Sequence, residues 1–219
     1  MINKELIKRI LSSLILIPVV LFFVVEGSFL FNFFILICFL ITSYEWYRMN
    51  RKNIYYLLGL LFLFISFYSA YEIRTSMAGS YEYFMIILLI CVSTDIGGYI
   101  FGKIFKGPKL TKISPKKTYS GVIGGYLLSI IFLKLFLSSN FFFIKPIEIS
   151  PDIFIFILLI STVSQLGDII ISYFKRLSKI KDTGKIIPGH GGLLDRIDGM
   201  IFAYPFSYLI FKINLFQNF

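Results

Sequence analysis

The stretch SYFKRLSKIKDTGKIIPGHGGLLDRID, residues 172–198, decides how the whole chain is read. It is the longest polar run in a chain that is 57% hydrophobic. It gathers Lys175, Arg176, Lys179, Lys181, Lys185 and Arg196, three carboxylates (Asp182, Asp195, Asp198) and the single histidine, His190, around a Pro-Gly-His-Gly-Gly turn. A loop that only joined two membrane helices would not need this mixture. Glycines let a backbone approach a ligand closely. Cations meet phosphates, and carboxylates hold a hard metal ion. The expectation is a site for a phosphorylated substrate and a divalent cation at a membrane surface.

Outward from this run the chain is apolar in long blocks. A spanning helix needs about 20 largely apolar residues. Candidates lie near 10–25, 29–47, 54–71, 83–104, 121–138, 152–174 and 199–213. The fold class is therefore all-α: a polytopic integral membrane helix bundle of about seven spans with a polar active site at its cytoplasmic face. Residues 1–92 read as N-terminal membrane helices and 93–219 as the catalytic membrane region, within one continuous membrane domain. The last stretch is the weakest, because Pro205 interrupts it and Lys212 closes it early; it either spans or lies in the interface. Lys4, Lys8 and Arg9 precede the first apolar run as in a signal peptide. Val24-Val25-Glu26-Gly27 offers no small-residue cleavage site, so an uncleaved first span is expected. Cys38 and Cys91 sit in apolar runs and read as buried small hydrophobes. No internal repeat or low-complexity segment is visible.

The net charge of +10 raises the question of nucleic acid. In a polytopic protein, lysine and arginine gather in cytoplasmic loops for topological reasons, and no nucleic-acid partner is expected. With the N-terminus in the cytoplasm and one crossing per span, only Arg74, Lys134, Lys145 and Lys212 fall on the far side. The loops near 103–117 and 175–196 then share the cytoplasmic side, where nucleotides are found. The localisation expected is a bacterial plasma membrane, with the bilayer itself as a partner and a homodimer left open.

Ionisable groups within spans usually face the bundle interior or a water-filled cavity. The fourth stretch holds Ser93, Thr94, Asp95, Gly97 and Gly98; the sixth holds Ser164, Gln165, Asp168, Ser172 and Lys175. The spacing lays these last residues along one helix face. The stripe leads into the polar run. Ser164 and Gln165 equally suit an interhelical hydrogen-bond seam. Glu45, beside Trp46 at the end of the second stretch, reads as an interfacial residue. Between the fourth and fifth stretches, Ser114-Pro115-Lys116-Lys117-Thr118 supplies cations and hydroxyls on a rigid turn before Gly121, Gly124 and Gly125. This segment suits triphosphate oxygens, or it is a basic topogenic loop. It is not a Walker P-loop.

Taken together, Ser172-Tyr173-Phe174-Lys175-Arg176, Lys181-Asp182, Pro188-Gly189-His190-Gly191-Gly192 and Asp195-Arg196-Ile197-Asp198 resemble the full signature of the CDP-diacylglycerol synthases (phosphatidate cytidylyltransferases). Residues Thr94 to Lys103, Ser114 to Gly121 and Gln165 to Asp168 are similar to further family segments. The resemblance covers roughly 93–205. Tyr119-Ser120 stands where the family pattern has Trp-Glu, and the N-terminal half is shorter than in typical members.

The resemblance implies transfer of the cytidylyl group from CTP to phosphatidic acid, with CDP-diacylglycerol and pyrophosphate as products. It also implies a two-cation centre, Mg2+ and a second cation, at positions matching Asp168 and Asp195. Asp198 is a further metal candidate or, alternatively, a helix N-cap. Lys175, Arg176, Lys181 and Arg196 are expected to hold phosphates. Asp95, Ser114, Lys116, Lys117, Thr118, Ser172 and Asp182 are expected around the substrates. His190 is open between phosphate donor, proton carrier and turn-fixing group. Zinc is not expected from one histidine and two intramembrane cysteines. The competing readings are a CTP-dependent polyprenol kinase and a cation- or proton-coupled transporter.

Overall fold

A computed structural model of the chain describes residues 4–51, 54–76, 81–111, 114, 117–138, 149–189 and 191–215. The described residues form eight helices and no strand: α1 (Lys4–Glu26), α2 (Ser28–Asn50), α3 (Tyr55–Thr75), α4 (Tyr81–Phe105), α5 (Tyr119–Leu137), α6 (Pro151–Leu177), α7 (Leu194–Ile197) and α8 (Met200–Lys212). Each of the seven apolar stretches corresponds to one helix, and the polar run adds the short α7. Five helices, α2 to α6, are long and apolar enough to cross a bilayer. The last helix runs through Pro205 and has 13 residues. At 1.5 Å per residue it is about 20 Å long, short of the roughly 30 Å hydrocarbon core.

Local chemistry sets the helix starts. Ser150 caps α6 by accepting the Ile153 N–H at 3.2 Å, with Pro151 and Asp152 in the first turn. Thr118 caps α5 by accepting the Gly121 N–H at 3.2 Å. The chain turns from α1 into α2 at Gly27, where φ is +69°. There the Arg74 guanidinium donates to the carbonyls of Val24 and Val25, at 2.6 and 3.2 Å, and so satisfies the open end of α1.

The closest helix pair is α4 with α5, and glycine is the reason. A Cβ on Gly97 would strike the Gly124 carbonyl, and one on Gly121 would lie 2.8 Å from the Gly98 oxygen. The two backbones touch, as small residues allow in membranes. Gly97 thus makes room for α5. The main core is built on α4, with Ile87 and Ile90 fully buried against Phe156, Ile157 and Ile160 of α6. A second cluster joins Trp46, Met49, Leu63, Ile171 and Ile201 to Leu194 of α7, which is completely buried. This second cluster seats the polar run against α2, α3, α6 and α8.

Candidate active site

Four helix ends meet at one end of the bundle. The Ser178 hydroxyl, just past α6, donates to the Met49 carbonyl near the end of α2 at 2.8 Å. The segment after α4 doubles back on itself: the Leu110 N–H donates to Lys117 and the Tyr119 N–H to Pro108. That return brings the N-terminus of α5 beside the C-terminus of α6. The two motif-bearing loops therefore share one end, as the charge distribution required.

Between them lies a cavity of about 340 Å³. Asp95, Ser114, Lys117 and Thr118 line it from the α4–α5 side. Asp168, Lys175, Asp182, Asp195, Arg196 and Asp198 line it from the side of α6 and the polar run. Gln165 and Tyr99 also line it, beside the α4 and α5 glycines Gly98 and Gly121.

The stripe on α6 is joined to the basic loop by an ion pair. Lys117 Nζ stands 2.6 Å from Asp168 Oδ2 and 3.1 Å from the Gln165 carbonyl. The Ser172 hydroxyl donates to Asp168 Oδ1 at 3.3 Å, so Ser172 supports the carboxylate from behind and does not line the cavity. The seam reading holds in part as well. Thr94 donates to Ser161 at 2.9 Å, and the Gln165 amide reaches the same hydroxyl at 3.4 Å. Ser164 is fully buried, and Gly199 packs directly on its hydroxyl.

The polar run folds around Asp195. Ile187 and Gly191 exchange backbone hydrogen bonds at 2.9 and 3.2 Å, which closes the turn that Pro188 and Gly189 enter. Gly189 and Gly191 have φ of +76° and +90°, the left-handed region that glycine enters without strain. Asp195 Oδ2 then accepts the N–H groups of Thr183 at 2.8 Å and Gly192 at 3.0 Å. Its Oδ1 accepts Lys175 Nζ at 3.0 Å. The same ammonium is 3.8 Å from Asp198 Oδ2. Asp198 is buried, and its carboxyl is pushed well above the ordinary range by that burial first and by the Asp168 charge second. Asp198 is not the cap of α8: Gly199 holds that position, and no side chain caps the helix there.

One side chain was misplaced by sequence reasoning. Glu45 is not interfacial but 2% exposed. It accepts the Thr183 hydroxyl at 2.9 Å and the N–H groups of Leu193 and Leu194 at 3.0 and 2.8 Å. A Cβ on Gly184 or Gly192 would collide with its carboxylate. Those glycines thus admit an internal carboxylate rather than a ligand. A signal existed: Thr42, Glu45, Trp46 and Met49 share one helix face and are all buried.

Other expected residues stand apart. Arg176 and Lys181 are exposed and outside the cavity wall, and the Arg176 guanidinium donates to the Ile180 carbonyl at 3.4 Å. Lys116 and His190 lie outside the described residues. Ser120, at the position of the family Glu, turns away from the cavity: its hydroxyl bonds the Lys106 carbonyl and lies 3.0 Å from Thr118 Oγ1.

Residues 53–214 match the model of the cytidylyltransferase family. The chain belongs to that family. It is 38% identical over 217 residues to the phosphatidate cytidylyltransferase of Rickettsia bellii, covering 95% of this chain and 91% of the relative. For the Rickettsia prowazekii phosphatidate cytidylyltransferase the identity is 37% over 221 residues, or 98% and 94% of the two chains. The Staphylococcus aureus (strain COL) phosphatidate cytidylyltransferase is 35% identical over 175 residues, 76% of this chain and 64% of that protein. This cytidylyltransferase is thus close in length to the rickettsial relatives and shorter than the staphylococcal one.

Proposed function

We infer that the chain is a phosphatidate cytidylyltransferase: it transfers the cytidylyl group of CTP to phosphatidic acid, giving CDP-diacylglycerol and pyrophosphate. The observation that carries this reading is the single cavity that joins Asp168, Asp195 and Asp198 to Lys117, Lys175 and Arg196 at a membrane-helix end. The nucleophile is an oxygen of the lipid phosphate, already anionic at neutral pH. It forms a bond to the α-phosphorus of CTP as the bond to the bridging oxygen breaks, and pyrophosphate leaves. The chain needs no general base for this step. Its task is to place two anions together and neutralise them.

Lys117 and Arg196 both line the cavity and suit the phosphates of nucleotide and lipid. Lys175 holds Asp195 and lies near Asp198. Magnesium, held by Asp168 and Asp195 with Asp198 nearby, would supply charge neutralisation at the triphosphate. Among the described residues no three acidic or imidazole or thiol groups converge in a preformed metal cage. Magnesium commonly takes one or two carboxylates and completes its shell with phosphate oxygens and water. The bias of lysine and arginine supports placing this end in the cytoplasm. A transporter would place its ionisable groups near the midplane, whereas these cluster at one end of the bundle.

The test is synthesis of CDP-diacylglycerol and pyrophosphate by the purified chain in detergent with phosphatidic acid, CTP and magnesium. Magnesium-dependent product that vanishes in Asp195→Asn is the expected result. Full activity in Asp195→Asn would remove that carboxylate from the site, and a silent wild-type protein beside an active synthase would point to a polyprenol substrate.

A further inference from the structure

We propose that Glu45 is a positioning residue for the reaction: from α2 it holds the backbone that presents Asp195 to the cavity. Glu45 does not line the cavity. It acts on the same two pieces of chain that Asp195 grips from the other side. At Thr183, the N–H donates to Asp195 and the hydroxyl to Glu45. At the entry to α7, the Gly192 N–H donates to Asp195 while the next two N–H groups, of Leu193 and Leu194, donate to Glu45. The two carboxylates form a double clamp, one facing the cavity and one facing the core.

Geometry makes the clamp specific. The N–H groups at the start of a helix have no partner within it, and the Leu193 side chain at the cap of α7 supplies none. Glu45 satisfies two of them from a different helix. Gly184 and Gly192 leave room for its carboxylate and, at Gly192, for the Thr183 hydroxyl that donates to it. With α7 only four residues long, the direction of Asp195 depends on where this first turn is pinned. Glu45 also lies outside residues 53–214, the segment that matches the family model, so the support comes from a part of the chain that the model does not reach.

The inference rests on Asp195 belonging to the active site. The experiment compares CDP-diacylglycerol synthesis by the full-length wild type, Glu45→Gln, Glu45→Asp, Thr183→Val and Asp195→Asn, each purified in detergent and corrected for folded protein by size-exclusion elution. Glutamine keeps the shape of Glu45 but turns an NH2 group on one of the two backbone N–H donors. Aspartate keeps the acceptor but is one methylene shorter. The expected result is kcat lowered roughly 10–100-fold in Glu45→Gln, a smaller change in KM for CTP, and Glu45→Asp more active than Glu45→Gln. A role in packing alone predicts the opposite order, with the isosteric glutamine ahead. That order, or a wild-type kcat in Glu45→Gln, overturns the proposal. Should both Glu45 variants fail to fold, Thr183→Val removes one of the three bonds and leaves the carboxylate in place. A few-fold loss of kcat there supports the clamp, and an unchanged kcat overturns it. Activity retained in Asp195→Asn would sink the site reading itself; a dead Asp195→Asn beside a normal Glu45→Gln would sink only the role of Glu45.

Discussion

Lys175 and Asp195 form the most enclosed ion pair of the described residues, with Nζ and Oδ1 3.0 Å apart and side chains 12% and 3% exposed. The ammonium comes from the last turn of α6 and the carboxylate from α7, so the pair joins the membrane-spanning stripe to the polar loop. Removing one partner of such a pair leaves an uncompensated charge. Lys175→Met is therefore expected to cost about 3–5 kcal/mol of stability and to abolish CDP-diacylglycerol synthesis. Thermal unfolding in detergent and the activity assay check the two effects separately.

Neighbouring glycines on α4 are predicted to respond in opposite ways. A methyl group on Gly97 runs into the α5 backbone, while one on Gly98 has nothing nearer than the Gly121 oxygen at 3.8 Å. Gly97→Ala should cost at least the roughly 1–3 kcal/mol of overpacking and lower the yield of folded protein. Gly98→Ala should fold normally. Equal yields of the two variants would mean that α4 and α5 are not in backbone contact.

The buried Asp198 carboxyl gives a pH dependence with a definite sign. Its folded value is raised above the ordinary 3.8, by burial and then by Asp168. The folded state therefore binds this proton more tightly than the unfolded state. The contribution is fully present below the unfolded value and is lost as pH rises through the folded one. Without divalent cation, wild-type stability relative to Asp198→Asn should fall between pH 4 and the raised folded value. Melting curves of both proteins at pH 5 and pH 8 measure this change, and a wild type that gains stability relative to Asp198→Asn as pH rises would refute the assigned environment.

The serine in place of the family Glu is predicted to be tolerant. Ser120 bonds Lys106 and Thr118 and is absent from the cavity wall. Ser120→Ala should keep activity within about threefold, since the two hydrogen bonds it removes lie outside the cavity wall and each contributes only roughly 0.5–1.5 kcal/mol to stability. A loss of a hundredfold would assign the hydroxyl a direct part in the reaction.

The helices were legible because a membrane demands long apolar runs, and the runs around Ile87 and Ile157 could hardly be anything else. Asp168 stood out because a carboxylate within an apolar helix needs a partner, whereas Asp195 stood out by its place in the polar run and by the family resemblance. The glycines were seen but their purpose was not: a sequence shows that Gly97 lacks a side chain, and only the fold shows that Gly124 occupies the space. Glu45 was missed for a related reason. Its partners Leu193 and Leu194 are backbone donors, which carry no residue type, and they lie 148 and 149 positions away. Arg176 and Lys181 illustrate the reverse case, in which charge beside a motif is visible but its direction is not.

The clamp between α2 and α7 also imposes an order on biogenesis. Glu45 is made 149 residues before Leu194. At about 5–20 residues per second, the ribosome needs roughly 7–30 seconds to cover that distance. During this interval the carboxylate has none of the donors that later enclose it, and the end of α2 must stay hydrated at the membrane surface. Insertion of the early helices can proceed without the reaction centre, but closure of that centre waits for nearly the last segment of the chain.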